Sequence, residues 1–214
     1  MFFKFVFLHN PLILFIALIF LCNNPKENTS TYKTIKPTLN IQATQTKAKE
    51  AFQFCKSKNF NSDFCILIDM SLHSGLKRFF VWSFTQDTII HSFLVSHGCC
   101  DNSWSKDESK DNPKFSNVVG SHCSSLGKYK IGERGYSNWG VKIKYTLYGL
   151  DSTNNNAFKR LIILHSWELV PDEEIYPDGT PEGWGCPAIS NKNFMIIDSM
   201  LKNSPKPVLM WIYK

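Results

Sequence analysis

The sequence has no internal repeat and no block of like charge. Its 24 Lys and Arg stand against 18 Asp and Glu, and the resulting charge of +6 is scattered along the chain. No basic stripe follows one periodic face and no nucleic-acid-binding motif accompanies the charge, which argues against a nucleic-acid partner. A standard zinc pattern is also missing. His97, Cys99, Cys100, His122 and Cys123 are close in sequence, but adjacent Cys-Cys and His-Cys pairs suit tetrahedral coordination poorly, so no metal is expected. Ser124-Ser125 lacks the surroundings of a serine-hydrolase elbow and reads as turn residues or backbone-directed donors.

At the front, "MFFKFVFLHNPLILFIALIFLCNN" carries one lysine and a run of Phe, Leu and Ile. Residues 1–22 read as an export signal. A retained membrane anchor and a lipoprotein acylated at Cys22 are the rivals. His9, Asn10 and Pro11 cut the apolar core to about a dozen residues, nearer a signal than a span. All three readings take the protein out of the cytoplasm, to the periplasm or cell envelope, where a mildly basic surface is drawn to anionic polymers or headgroups. The chain has 7 cysteines, and such a location admits disulfides. If Cys186 is free, Cys55, Cys65, Cys99, Cys100 and Cys123 allow at most two bridges.

Residues 23–45 are polar, lack apolar periodicity and read as a linker, leaving 46–214 as one domain. "TKAKEAFQFCKS" spaces Ala48, Ala51, Phe52 and Cys55 as an amphipathic helix. "FCILIDM", "RFFVWSF", "TIIHSFLVS", "YKIGE", "VKIKYTLYGL", "LIILH" and "PVLMWIY" read as strands. The polar stretch 98–127 is a long loop of the functional kind. "NNNAFKR" reads as one helical turn, and "NKNFMIIDSMLKNS" as a helix capped by Asn191 or Ser190. The expected architecture is mainly β, a sandwich or partly closed barrel with a few short peripheral helices. Trp139 and Trp211 are expected in the core, and the carboxylates of "PDEEIYPDGTPEG" in solvent, or at a cleft mouth.

The chemistry is expected at "GWGCPAIS" and "LIILHSW". Cys186 sits between Gly185 and Pro187 after a turn-rich loop, and His165 ends a strand, so the two can meet at one rim of the sheet. A thiol near pKa ~8.5 is mostly protonated at neutral pH, while the thiolate is the nucleophile. A neighbouring imidazole takes the proton and later protonates the leaving amine. Backbone N–H groups around Trp184 to Cys186 are candidates for an oxyanion hole.

The ordered set "SHGCC", "FSNVVGSHCSSLGKYKIG", "YTLYGLDSTNNNAFKRLIILHSW" and "GWGCPAIS" resembles the L,D-transpeptidase catalytic domain family, specifically its murein branch, over roughly residues 60 to 214. The resemblance implies that Cys186 is the acylated nucleophile, His165 the base, and Ser166 the residue whose carbonyl orients the imidazole. It implies that Gly185 and Trp184 help form the oxyanion hole. It also places His97, Gly98, Ser124, Ser125, Gly127 and Tyr129 near the substrate cleft. Trp184 departs from the histidine of better-known relatives, and Gly183 from the Ser or Arg frequent in the murein branch. The implied activity is transfer of a peptidoglycan stem peptide from a Cys186 thioester to an amine, by a monomer that needs no cofactor. Hydrolysis at the same site, a non-catalytic wall-binding module and a metal-binding exported protein are the alternatives.

Overall fold

The structure is a computed structural model that describes residues 36–214; the segment read as signal or anchor lies outside the described residues. Two helices and eight strands make up the fold: α1 (Ile41–Lys58), β1 (Phe64–Asp69), β2 (Phe79–Ser83), β3 (Thr88–Phe93), β4 (Gly127–Tyr136), β5 (Ile143–Gly149), β6 (Ile163–Ser166), β7 (Ala188–Ile189), α2 (Asn191–Lys202) and β8 (Leu209–Tyr213). The strands form one sheet in the order β3-β2-β1-β8-β4-β5-β6-β7. Neighbours are antiparallel except β1 with β8 and β6 with β7.

The sheet curls until its ends nearly meet. Beyond β3 the chain runs back beside the β7 end, where the Ser96 N–H donates to the Ala188 carbonyl (2.9 Å), the Gly183 N–H to that of His97 (2.7 Å) and the Cys99 N–H to that of Gly183 (2.7 Å). The mainly β, partly closed barrel expected from the strand pattern is therefore the observed architecture. Alternation divides the apolar residues between two faces. Ile66 and Ile68 of β1 and Phe79 and Val81 of β2 join Tyr129, Leu147, Met210 and α2 residues Phe194 and Ile197 in the interior. Cys65, Leu67, Phe80 and Trp82 face the other way, onto Ala48, Ala51 and Cys55 of α1. Burial on both faces explains why "FCILID" and "FFVWS" are apolar up to their last residues, Asp69 and Ser83.

α1 begins at Ile41, inside the tract read as linker, because the Asn40 side chain accepts the Ala43 N–H and caps it. Ser190 caps α2. That helix is docked by Asp198, which accepts two hydrogen bonds from Arg134 (2.7 and 3.2 Å) and one from the Tyr145 hydroxyl (2.8 Å). "NNNAFKR" makes single turns, with the Ala157 N–H donating to the Asn154 carbonyl and the Arg160 N–H to that of Asn156, inside a run of turns from 151 to 161 that does not extend into a helix. The Asn154 side chain accepts the Asp151 N–H and donates to the Lys128 carbonyl, so it competes with helix formation. Among the described residues one disulfide forms, Cys100–Cys123, and Cys55, Cys65, Cys99 and Cys186 are free thiols. Among the described residues no helix is long and apolar enough to cross a membrane.

Candidate active site

The parallel pairing of β6 with β7 creates the site. His165 is in register with Ala188, and Cys186, on the loop two residues before Ala188, lines the same cleft as His165. The Ile163 N–H points at the Cys186 sulfur (3.4 Å). His165 is buried, and its Nδ1 lies 2.8 Å from the Ser166 carbonyl oxygen. A carbonyl only accepts, so Nδ1 carries the proton and Nε2 presents a lone pair. Burial lowers the His165 pKa from its ordinary value, against the opposing pull of the Ser166 carbonyl and of Glu168. Burial also pushes the Cys186 thiol up to about 11, opposed by the Ile163 N–H and by the charges of Arg160 and Lys144. At neutral pH both groups are uncharged.

Gly185 holds the Cys186 loop against its neighbour. Its φ is +99°, and a Cβ there would overlap the Cys123 carbonyl oxygen and lie 3.3 Å from the Arg160 guanidinium. Only glycine fits that close approach. Among the described residues the N–H groups of Gly185 and Cys186 donate to no protein acceptor. Trp184 is 56% exposed and stacks on His122 at a centroid distance of 5.7 Å. Trp104 packs on Trp184 at 6.0 Å and also on Trp139 and Trp167, which pack on each other, at 5.4 to 6.3 Å. Two hollows open beside Cys186 and His165: a small one of about 60 Å³ that reaches Ser96 and Ala188, and a larger one of about 490 Å³ that reaches His122 and Arg160.

A family model described as the L,D-transpeptidase catalytic domain matches residues 35–213. The chain belongs to the L,D-transpeptidase catalytic domain family. Among solved structures it is similar to the helical cell shape determining protein Pgp2 of Campylobacter jejuni, with 12% identity, TM-score 0.43, and coverage of 71% of this chain and 47% of that one. An L,D-transpeptidase of Xylanimonas cellulosilytica gives 10% identity, TM-score 0.38, and coverage of 75% and 68%. Bd1075 of Bdellovibrio bacteriovorus gives 17%, 0.38, and 73% and 49%. The chain thus spans about half the length of two of these three proteins. No curated protein matches it.

The other residues that the L,D-transpeptidase resemblance singles out fall into two groups. Ser124 and Gly98 support the nucleophile loop from behind: the Ser124 hydroxyl accepts the Gly98 N–H (3.1 Å) and donates to the Gly185 carbonyl (3.1 Å). Ser125 accepts from Arg160 through its hydroxyl and from the buried Tyr129 hydroxyl, at 2.7 Å, through its carbonyl. Gly127 packs on Asn154. His97 is fully buried and its ring does not reach either hollow. Arg78 donates to its Nδ1 (2.8 Å), which leaves the Nε2–H to donate to the Ser109 hydroxyl (3.0 Å), and that hydroxyl donates to Glu182 (2.9 Å). Glu182 is therefore wholly buried rather than solvated or at the cleft mouth, because Ser109 and Asn102 satisfy its carboxylate. Trp139 is half-buried on the cleft wall instead of in the core.

Arg160 borders the candidate site, and the sequence does not single it out. Its guanidinium donates to the Ser116 carbonyl (2.9 Å), the Ser121 hydroxyl (3.3 Å), the Cys123 carbonyl and the Ser125 hydroxyl. This ties the 116–125 segment to the turn before β6. A single arginine in a polar turn carries no local signal; only its contacts distinguish it.

Proposed function

We propose that this domain is an L,D-transpeptidase of peptidoglycan acting through a Cys186 thioester, in the cell envelope. The observation that carries the reading is the cleft beside β6 and β7, which Cys186 and His165 both line and where the Ser166 carbonyl fixes the imidazole tautomer. The Cys186 sulfur attacks the carbonyl of a bond between an L-centre and a D-residue in a tetrapeptide stem while Nε2 of His165 takes the thiol proton. The tetrahedral oxyanion is met by the free N–H groups of the Gly185–Cys186 turn. His165 then protonates the departing amine, and a D-amino acid leaves. An amine from a second stem, deprotonated at Nε2, resolves the thioester and restores the thiol. Because thiol and imidazole are both neutral at rest, the proton moves with the attack rather than before it.

The test is intact mass of the full chain, in mild detergent, after incubation with a carbapenem and then with a tetrapeptide stem and an amine. One covalent adduct, absent in Cys186→Ala and slowed at least a hundredfold in His165→Ala, is expected for a nucleophile and its base. An adduct that survives Cys186→Ala, or no adduct while Cys186 stays free and accessible to thiol reagents, would sink this assignment. Product analysis with water as the sole acceptor separates transfer from hydrolysis.

A further inference from the structure

The two hollows beside Cys186 and His165 share Trp139 and Trp184 but differ in charge. The smaller one has no Lys, Arg, Asp or Glu in its lining. The larger one is lined by Lys159 and Arg160 and by no carboxylate. The four Nη hydrogen bonds of Arg160 go to protein acceptors, so it is a fixed cation behind the nucleophile loop. Lys159 is exposed and makes no ion pair or hydrogen bond among the described residues, whereas Lys36, Lys77, Lys110 and Lys128 each hold a carboxylate. Lys144, on β5 beside His165, joins Arg160 as a positive charge felt by the sulfur. A hollow with this lining favours an anion.

We infer that the larger hollow holds the terminal carboxylate of the acyl donor's leaving D-residue, with Lys159 making the contact and Arg160 supplying a fixed positive field. This rests on the proposed thioester reading. In a donor that ends one residue past the scissile bond, the terminal carboxylate carbon lies three covalent bonds, under ~4 Å, from the carbonyl carbon under attack. A cation lining the same hollow as Cys186 is placed to meet it. A chain extended or cross-linked at that position has no carboxylate there. Lys159 therefore selects donors with a free end, as an exo-acting enzyme requires, over internal bonds.

The experiment compares a tetrapeptide stem ending in a free carboxylate with the same peptide ending in a carboxamide, using the full chain and its Lys159→Gln variant. Wild type is expected to show kcat/KM at least tenfold higher for the acid, carried by KM; tenfold corresponds to about 1.4 kcal/mol. Lys159→Gln is expected to erase the difference by weakening the acid alone. Equal use of both peptides by wild type, or an undiminished preference in Lys159→Gln, would overturn the inference. If neither peptide is turned over, the thioester reading fails separately, and binding decides this inference. Quenching of Trp fluorescence in Cys186→Ala must then favour the acid tenfold and lose that preference when Lys159→Gln is added. Equal binding of acid and amide overturns it.

Discussion

The Cys186 loop depends on a glycine, and Gly185→Ala tests how tightly. At φ +99° a side-chain-bearing residue sits in a sparsely populated region at a cost of about 1–3 kcal/mol. The new methyl would also overlap the Cys123 carbonyl oxygen, which the Cys100–Cys123 disulfide and Arg160 hold in place. Relief therefore falls on the loop, which must move by roughly 1 Å in an interior that is already close-packed. Strain of ~2 kcal/mol lowers the melting temperature of a domain this size by roughly 4–8 °C. A shift of ~1 Å at a reacting atom costs on the order of a hundredfold in rate. Gly120→Ala is the matched control: Gly120 has φ +81° with nothing within 4 Å of an added Cβ, so it bears the strain without the overlap. Thermal melts of the full chain, and carbapenem acylation followed by intact mass well below the melt, measure both effects. The expected result is a destabilised Gly185→Ala acylated about a hundredfold more slowly, beside a Gly120→Ala variant whose acylation stays near wild type. Acylation of Gly185→Ala within threefold of wild type would refute the claim that loop position limits the chemistry.

Two further perturbations follow from the buried polar groups. The His165 pKa is lowered by burial, so the imidazole remains a neutral base at pH 6.5 and is lost only as pH falls through its folded pKa. The acid limb of the acylation rate is expected below pH 6.5, moving with the Ser166 and Glu168 surroundings, and a limb above that value would contradict the neutral resting pair. Arg78 is fully buried and donates to the Val95 and Leu72 carbonyls as well as to His97. Arg78→Met strands those acceptors and leaves Glu182 without its buried countercharge, so urea unfolding is expected to show a loss of about 3–5 kcal/mol; a loss under 1 kcal/mol would mean that water enters and satisfies them.

Patterns that depend on neighbours in sequence are legible in the chain alone. Period-two apolarity in "VKIKYTLYGL" and period-3.6 apolarity in "NKNFMIIDSMLK" identify β5 and α2, since each element shows one face to the core. Cys186 and His165 stand out because a cysteine between glycine and proline, and a histidine ending an apolar run, are unusual for packing alone. "NNNAFKR" goes no further than single turns, because Asn154 bonding to the backbone opposes a longer helix. Trp139 and Glu182 mislead for a related reason: residue type gives the usual environment, and both sit in an unusual one.

By itself the sequence determined seven of the eight strands, the two helices and, through four ordered motifs, the family, and it singled out Cys186 and His165 as the candidate pair. It did so because side-chain periodicity and the chemistry of a motif are local properties of the chain. Only the tertiary structure decided which sheet edge brings residue 186 beside residue 165, that Ser124 and Cys123 support the turn at Gly185, and that Arg160 and Lys159 give one hollow its positive charge. Those relations join segments 20 to 80 residues apart in the chain, and a parallel strand pair or a guanidinium shared among four acceptors leaves no period to read. The charge of a cleft belongs to its geometry; scattered along the chain, the same lysines and arginines read only as a modest net charge of +6.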